Sequence, residues 1–145
     1  MFELYKGALD ITKIYAKWYE FALDKNHGAL VTFCGIVRDE NDISGLSFDI
    51  YEPLLNAWFK KWCDKVQKDN VYLMFAHSIG EVKIHQSSYF AGILSKQRKL
   101  GLALINDFVE DFKKSAPIWK YDIKNNELIY AKERSKPLKG AGILS

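Results

Sequence analysis

Three stretches of the chain repeat apolar residues at helical spacing. The first follows Asp10, a suitable N-cap, and ends before Gly28, where a glycine can adopt a positive φ angle. Pro53 opens the second stretch, which has a wide apolar face. The third runs from about residue 96 to residue 114 and ends before Pro117, because the residue preceding a proline avoids the α region. The pattern predicts three amphipathic helices.

Apolar, β-branched or alternating runs between the helices predict six strands. They cover residues 29–37, 46–51, 71–76, 87–94, 118–123 and 128–131. We expect the first two strands to form a hairpin across the charged loop 38–45, and the last two to form a hairpin around residues 124–126. A turn region at residues 77–81 should separate the third strand from the fourth.

The resulting order, α-β-β-α-β-β-α-β-β, predicts an α+β fold. We expect a single domain over residues 1–145 in which three helices pack on mainly antiparallel strands, because hairpins leave little room for repeated βαβ crossovers. No internal repeat, low-complexity tract or linker divides the sequence. The basic tail 132–145 contains Gly140 and Gly142, and we expect it to be mobile in the free protein.

Composition and charge narrow the classes of function. With 145 residues, of which 48% are hydrophobic and 14% aromatic, the chain can bury a core and differs from disordered or fibrous proteins. The formal net charge of +3 suits a small anionic ligand or an acidic partner. It is too small to predict nucleic-acid binding by itself.

The cysteines and the apolar runs indicate a cytoplasmic protein. Cys34 and Cys63 lie far apart without C-x-x-C spacing, so neither a zinc site nor a disulfide framework is predicted. Two free thiols favour a reducing compartment. The first residues lack the apolar core of a signal peptide, and no apolar run approaches the roughly 18 residues that a membrane span needs.

Common catalytic motifs are absent from the sequence, including G-x-G-x-x-G, the P-loop, H-E-x-x-H and G-x-S-x-G. His27, His77 and His85 are scattered over separate loops and strand ends, so a three-histidine metal site is not expected. The carboxylates also form no obvious pair that would indicate general acid–base catalysis. These exclusions favour chemistry that depends on the positive charges of lysine and arginine side chains.

Four basic residues have placements that suit anion binding. Arg38 follows an apolar strand at the start of a charged loop, and Arg98 lies in the first turns of the third helix. Lys113 lies in the last turn of that helix, and Lys120 should face away from the core because Trp119 beside it faces inward. Ordinary surface roles stay open for all four. The helix dipole alone favours a lysine such as Lys113 by roughly 0.3–1 kcal/mol.

Two further features have simpler interpretations. Cys34 lies beside the Arg38 loop and invites a sulfur-transfer role, but a buried small apolar residue is the favoured interpretation, because no basic neighbour in sequence would stabilise a thiolate. The cluster of Trp58, Phe59 and Trp62 is interpreted as core or subunit interface rather than as a stacking platform for bases.

Three segments, in a common order and spacing, resemble one known family. Residues 28–38 are similar to the strand motif G-A-x-x-x-F-x-G-x-V-R, and residues 77–82 to the turn motif H-R-x-G-x-[LV]. Residues 112–120 are similar to the signature L-K-x-x-[AV]-P-[IF]-W-K. The family is that of the large, catalytic subunit of molybdopterin synthase, and the likeness runs from about residue 28 to residue 122.

The resemblance implies a fold, a reaction and partners. Members of the family have an α/β hammerhead-like fold and install two sulfurs on cyclic pyranopterin monophosphate, which forms the dithiolene of molybdopterin for the molybdenum cofactor. The sulfur comes from the C-terminal glycine thiocarboxylate of a small ubiquitin-like subunit, whose tail enters the pocket of the large subunit. A dimer of large subunits with one small subunit at each end is implied, and no metal or other cofactor, nucleic acid or membrane is required.

The same resemblance implies site residues. Lys113 and Lys120 match two active-site lysines, whereas Arg38 and Arg98 match anion-binding arginines. A further group matches positions that line the substrate: Ile36, Val37, Tyr121 and Asp122.

The sequence departs from the family pattern at four places, one of which is Asp122, an aspartate where the family commonly has glutamate. Gln97 stands where the family usually has histidine, so a neutral amide replaces a titratable ring, although it can still donate to a phosphate. Ser78 stands where the family usually has arginine. The basic tail is too divergent to align, and Arg134 is its best candidate for a further anion contact.

Two alternatives stay open. One is a non-catalytic module that binds a nucleotide, an RNA end or an acidic peptide through the same cations. The other is a degenerate family member that binds the small partner without turnover, which the Gln97 substitution makes conceivable.

Overall fold

Seven strands and three helices follow one another along residues 1–131, the part of the chain that the computed structural model describes. Their bounds are β1 Phe2–Lys6, α1 Ile11–Ala22, β2 Ala29–Ile36, β3 Gly45–Ile50, α2 Glu52–Gln67, β4 Tyr72–Lys83, β5 Ser87–Ser95, α3 Arg98–Ser115, β6 Ile118–Lys124 and β7 Glu127–Tyr130. The predicted α+β class with three helices is confirmed. The tail 132–145, expected to be mobile and containing Arg134, lies outside the described residues.

Local capping sets the ends of the helices. The Asp10 side chain accepts a backbone hydrogen bond at 3.2 Å at the start of α1. Pro53 lies in the first turn of α2, where its missing amide hydrogen costs no helical bond, and Ala116, in extended conformation, caps α3. The positive φ angle after α1 belongs to Asn26, at 55°, so the expectation for Gly28 is wrong. Asparagine tolerates the left-handed region better than most side chains do.

Strand β4 joins two parts of one sheet. Its first half pairs with β5 on one side and, in parallel, with β1 on the other, whereas its second half pairs with β3. The strand order is β2-β5-β4-β3-β6-β7, with β1 beside β4. Apart from the β1 pairing, the strand pairs of residues 1–131 are antiparallel. The prediction of a mainly antiparallel sheet is confirmed.

Several local expectations about the strands are wrong. Strand β2 pairs with β5 and β3 pairs with β4 and β6, so loop 38–45 does not close a hairpin. Residues 77–81 continue β4 instead of turning, and the chain reverses at residues 84–86, where His85 has a φ angle of 69°. The pattern also misses β1, because so short a strand has little periodicity of its own and pairs with distant residues around Phe75.

The last hairpin agrees with the prediction. Strands β6 and β7 pair in antiparallel fashion, and the turn between them places Asn125 and Asn126 at φ angles of 49° and 63°. Two consecutive positive φ angles are typical of the tight hairpin turns whose twist matches that of the flanking strands.

The helices cover both faces of the sheet. Successive residues of β4 point to opposite faces, and each face packs against a different set of helices. Met74 packs with α1, where the Trp18 ring stacks on Phe90 at 4.7 Å between ring centroids. Phe75 points to the other face and packs with α2 and α3. The aromatic cluster of α2 belongs to this larger core, in agreement with one of its two interpretations: Trp58, Phe59 and Trp62.

Candidate active site

A cavity of 740 Å³ lies where the last turn of α3 meets the end of β2 and the beginning of β6. Residues of β3, β4 and β5 complete its walls. Half of the site residues predicted from the sequence line this cavity. These are Ile36, Val37, Arg38, Lys113 and Lys120. The sequence motifs therefore converge on one concave site of a size that suits a small molecule.

Helix α3 and strand β6 position the two lysines. Lys113 lies in the last turn of the helix and is exposed at the cavity wall. The chain then becomes extended at Ala116, and alternation along β6 buries Trp119 while Lys120 lines the cavity, half-buried. The predicted facing of Trp119 and Lys120 agrees with the structure. In the sheet Lys120 lies opposite Phe48 of β3.

Asp111 fastens this end of α3 to α2. Its Oδ2 atom accepts hydrogen bonds from the indole N–H groups of Trp58 and Trp62 at 2.9 and 2.8 Å. Its Oδ1 atom accepts one from the Ser115 hydroxyl at 2.9 Å. Hydrogen bonds to a charged acceptor are among the stronger ones in proteins, so these contacts hold the turn that carries Lys113.

Arg38 provides an exposed positive charge at the cavity. Its guanidinium lies 3.1 Å from a carboxylate oxygen of Glu40, which also lines the cavity, and its side chain is 77% exposed. An exposed ion pair of this kind contributes about 0–1 kcal/mol. An incoming phosphate or carboxylate can therefore replace Glu40 as the partner of Arg38 at little cost.

His77 and Tyr89 are buried titratable side chains of the cavity, and both are neutral. Burial, together with the smaller effect of the positive charge of Lys120, lowers the pKa of His77 from 6.5 to about 4, against the opposing effect of the hydrogen bond to the Ser78 carbonyl. Burial also raises the pKa of Tyr89 well above its usual value. Both side chains are uncharged at neutral pH, and aromatic rings of Phe48 and Phe112 lie beside them.

Arg98 and Gln97 lie at the other end of α3. They line a separate recess of 500 Å³, whose walls are formed by Gly28, Lys96, Gln97, Arg98 and Lys99. At a rise of about 1.5 Å per residue, the helix separates Arg98 from Lys113 by roughly 22 Å. A single chain thus does not bring Gln97 or Arg98 into the cavity.

Tyr121 and Asp122 follow Lys120 on β6 but are not among the residues that line the cavity. Both are half-buried, and Tyr121 packs against Tyr130 with ring centroids 5.6 Å apart. Burial and the nearby carboxylate of Asp49 raise the pKa of Tyr121. Arg134 belongs to the part of the chain that is not described.

Cys34 does not have the buried position that the sequence predicted. It is exposed on β2, an edge strand that pairs with β5, and its sulfur lies 3.4 Å from the Ser87 hydroxyl. Alternation places Phe33 and Gly35 at the cavity, whereas Cys34 is not among its lining residues. The expectation fails because the whole strand was taken as buried, whereas several of its residues are exposed.

Among residues 1–131, no group of three or more histidine, cysteine, aspartate or glutamate side chains is arranged to hold a metal ion. Within the same residues, no helix is long and apolar enough to cross a membrane.

Four functional candidates escape the sequence analysis: Glu40, Tyr89, Asp111 and Lys114. Tyr89 lies in an apolar strand and looks like a core residue. For Asp111 a signal exists, since a carboxylate directly before Phe112 borders the apolar face of the helix and needs partners. Nothing in the local pattern distinguishes Lys114 from the neighbouring Lys113.

Comparison with known proteins decides the family. A family model described as MoaE protein matches residues 4–115. The chain belongs to the MoaE family. A MoaE-family relative, the molybdopterin synthase catalytic subunit of Helicobacter pylori strain 26695, is 52% identical over 145 residues and is covered completely, as is this chain. The corresponding protein of H. pylori strain J99 is 44% identical over the same length.

Solved structures of MoaE-family proteins share the fold. A complex of subunits 1 and 2 of the molybdopterin-converting factor from H. pylori 26695 contains a chain with a TM-score of 0.91 and 51% identity, with 99% of each chain covered. Molybdopterin synthase from Staphylococcus aureus gives a TM-score of 0.77 at 22% identity, covering 89% of this chain and 95% of that one, and this likeness concerns the fold alone. The family resemblance inferred from the three motifs is confirmed.

Proposed function

We propose that this MoaE-family chain is the catalytic subunit of a molybdopterin synthase and acts as a sulfurtransferase. Its substrate is cyclic pyranopterin monophosphate, and its sulfur donor is the thiocarboxylated C-terminal glycine of a small ubiquitin-like subunit. The observation that carries the proposal is the single cavity that holds Arg38, Lys113 and Lys120. Full-length identity of 52% to a molybdopterin synthase catalytic subunit supports it.

The cavity suits a reaction that gathers two anions, a phosphate and a thiocarboxylate. Arg38 can bind an anion with two parallel hydrogen bonds, each contributing roughly 1.5–3 kcal/mol net. Lys120 orients the thiocarboxylate and stabilises negative charge that develops on its carbonyl oxygen. Lys113 transfers protons or polarises the acyl group.

Each transfer exchanges oxygen for sulfur at one substrate carbon. The thiocarboxylate sulfur forms a bond to that carbon, whose bond to an oxygen substituent breaks, and the oxygen leaves with a proton that a lysine can supply. Water then adds to the acyl carbon and the acyl–sulfur bond breaks, so that the donor leaves as an ordinary carboxylate and the sulfur stays on the substrate. The sulfur keeps its oxidation state, so no oxidant or reductant is required. Two such transfers supply the two sulfurs of the dithiolene.

A second copy of the chain supplies Gln97 and Arg98 in this proposal. The separation of roughly 22 Å along α3 supports that arrangement, because one chain cannot place Arg98 beside Lys113. A symmetric dimer would repeat the arrangement at both cavities. The roles of Tyr121, Asp122 and Arg134 in substrate binding stay predictions, as does the cytoplasmic location, which the unpaired Cys34 and Cys63 support.

A reconstituted assay tests the proposed function. The purified chain is mixed with a thiocarboxylated small subunit and the pyranopterin precursor, and product is measured as its fluorescent oxidised pterin derivative. We expect product from the wild-type chain and from Lys68→Ala, which removes an exposed lysine at the end of α2. Lys113→Ala should lower the rate by roughly 10²–10⁴-fold.

The assay also separates the alternatives. Binding of the small subunit without product would indicate a degenerate family member and overturn the enzymatic proposal. A steep salt dependence of binding to generic RNA would favour the non-catalytic module, because many phosphate contacts release many counterions. Full activity of Lys113→Ala would refute the role of that lysine while leaving the reaction intact.

A further inference from the structure

Three adjacent strands place Gly35, Tyr89 and His77 in one row at the inner end of the cavity. Gly35 of β2 lies opposite Tyr89 of β5, and Tyr89 lies opposite His77 of β4. Residues in such a row share one face of the sheet. The Phe112 ring of α3 covers the row, with centroids 4.1 Å from Tyr89 and 5.6 Å from His77. All four residues line the cavity.

His77 offers a hydrogen-bond acceptor. The residue is 2% exposed, and its Nδ1 atom lies 2.8 Å from the carbonyl oxygen of Ser78. Because a carbonyl oxygen can only accept, Nδ1 carries the hydrogen. In the neutral ring, Nε2 is then the nitrogen with a lone pair.

Tyr89 offers a hydroxyl that residues 1–131 leave without a hydrogen-bond partner. The residue is 6% exposed, and its hydroxyl oxygen is buried without a hydrogen-bond partner among the described residues. Buried polar groups are nearly always paired in folded proteins, so an unpaired one inside a cavity points to a partner that arrives with a ligand. The lack of a side chain at Gly35 keeps space beside Tyr89, since a Cβ atom there would lie 3.1 Å from the Tyr89 Cβ atom.

The cavity changes character from its inner end to its mouth. Neutral polar atoms and aromatic rings form the buried end, whereas the exposed Arg38 and Lys113 form the cationic end. A ligand that fits both ends has a flat, neutral, hydrogen-bonding ring at one side and an anionic group at the other. Phe48 and Phe112 beside the row favour a flat ring over a flexible chain.

We propose that Tyr89 and His77 bind the lactam edge of the pterin ring, so that the ring enters first and the phosphate stays among the cations. A ring N–H donates to His77 Nε2, and the Tyr89 hydroxyl donates to a ring oxygen or nitrogen. The inference rests on the proposed function, because it names the part of that substrate which the neutral end recognises. Tyr89 and His77 are thus specificity-determining residues.

Binding of phosphate-free pterin to the full-length chain tests the inference without turnover. Titration followed by pterin fluorescence gives the Kd for wild type, Tyr89→Phe and the control Tyr72→Phe, whose ring lies at the far end of β4 and outside the cavity. Tyr89→Phe removes a hydroxyl that has no partner among residues 1–131. It should raise the Kd roughly 2- to 12-fold without lowering the thermal midpoint. Tyr72→Phe should leave the Kd unchanged.

A diglycine peptide serves as the second probe, because its amide group has the same hydrogen-bonding chemistry as a lactam edge. We expect Tyr89→Phe to leave peptide binding unchanged. Weaker peptide binding with unaltered pterin binding would overturn the inference and assign the neutral end to the tail of the sulfur donor. An unaltered Kd for both probes would also overturn it. Failure of the wild-type chain to bind pterin would contradict the proposed function itself.

Discussion

The two ends of α3 differ in what one chain builds around them. At the C-terminal end, Lys113 lies at a cavity of 740 Å³ that residues from both parts of the sheet line. At the N-terminal end, Arg98 lies in a recess formed by loop residues and the first turn of the helix. Both residues match family positions, yet only one of them lies in the cavity of its own chain. Motif matches therefore predict site residues without showing which copy of the chain they would serve.

Mixing two variants of reduced activity gives the largest effect and tests whether the two ends of α3 meet across a dimer. Lys113→Ala should lower activity roughly 10²–10⁴-fold. Arg98→Ala, which removes a charge-assisted contact, should lower it roughly 10- to 150-fold. Refolding the two variants together at equal amounts should restore about a quarter of wild-type activity, because half of the dimers are mixed and each mixed dimer has one intact site.

The same mixture has a clear opposing result. If each cavity uses Arg98 of its own chain, every site in a mixed dimer lacks one residue and activity stays at the level of the single variants. Mixing Lys113→Ala with Lys99→Ala is the matched control, since Lys99 lines the same recess as Arg98 but matches no family position.

Acid should destabilise the protein through His77, which lines the cavity at the C-terminal end of α3. The unfolded chain protonates His77 below about pH 6.5, whereas the folded protein holds its pKa at about 4 by burial. The contribution of the neutral ring to the free energy of unfolding is complete above pH 6.5. It is lost progressively between pH 6.5 and pH 4, by about 3 kcal/mol in total.

Denaturant unfolding of wild type and His77→Phe at pH 7 and pH 4.5 measures this contribution. The variant should lose less stability between the two pH values than the wild type does. His85→Gln changes an exposed histidine in the turn after β4 and should retain the wild-type slope. Parallel pH dependence of wild type and His77→Phe would show that other groups cause the acid sensitivity.

Asp111 lies near the C-terminal end of α3, and its removal should lower the free energy of unfolding more than removal of a carboxylate on the exposed surface of that helix. Asp111→Ala leaves two indole N–H groups and the Ser115 hydroxyl without this acceptor, which should lower the free energy of unfolding by about 2–3 kcal/mol. Asp111→Asn keeps one acceptor oxygen and should lose less. Asp107→Ala, at an exposed position one turn earlier, should change stability by less than about 0.5 kcal/mol. Equal losses in Asp111→Ala and Asp107→Ala would contradict the anchoring role.

The smallest effect concerns the mouth of the cavity. Glu40→Gln removes the carboxylate that pairs with Arg38, so the arginine meets an incoming anion without competition. KM for the pterin substrate should fall about two- to threefold with kcat unchanged, in keeping with the weakness of exposed ion pairs. A rise in KM would mean that Glu40 orients Arg38 instead of competing for it. Asp39→Asn, an exposed neighbour, is the control.

The sequence predicts local features well and distant pairings poorly. Asp10, Pro53 and Pro117 mark helix ends because capping and proline geometry act over a few residues. The partner of β2 is β5, some fifty residues away, and hydrophobic alternation does not report which strand lies alongside. The same limit applies to the site. Lys113 and Lys120 stand in a recognisable motif, whereas Tyr89 and His77 meet only through strand register, and the unpaired hydroxyl of Tyr89 has no trace in the sequence.

Strand β4 has a consequence for how the gene can change. It spans both parts of the sheet, and His77 lies in its middle, where the parallel and antiparallel neighbours meet. Inserting or deleting one codon in β4 before His77 would turn every following side chain of the strand to the opposite face and remove His77 from the cavity. The turn at residues 84–86 follows β4 and joins it to β5 at the surface of the protein. Length differences between natural relatives should accumulate in that turn and be absent from the strand.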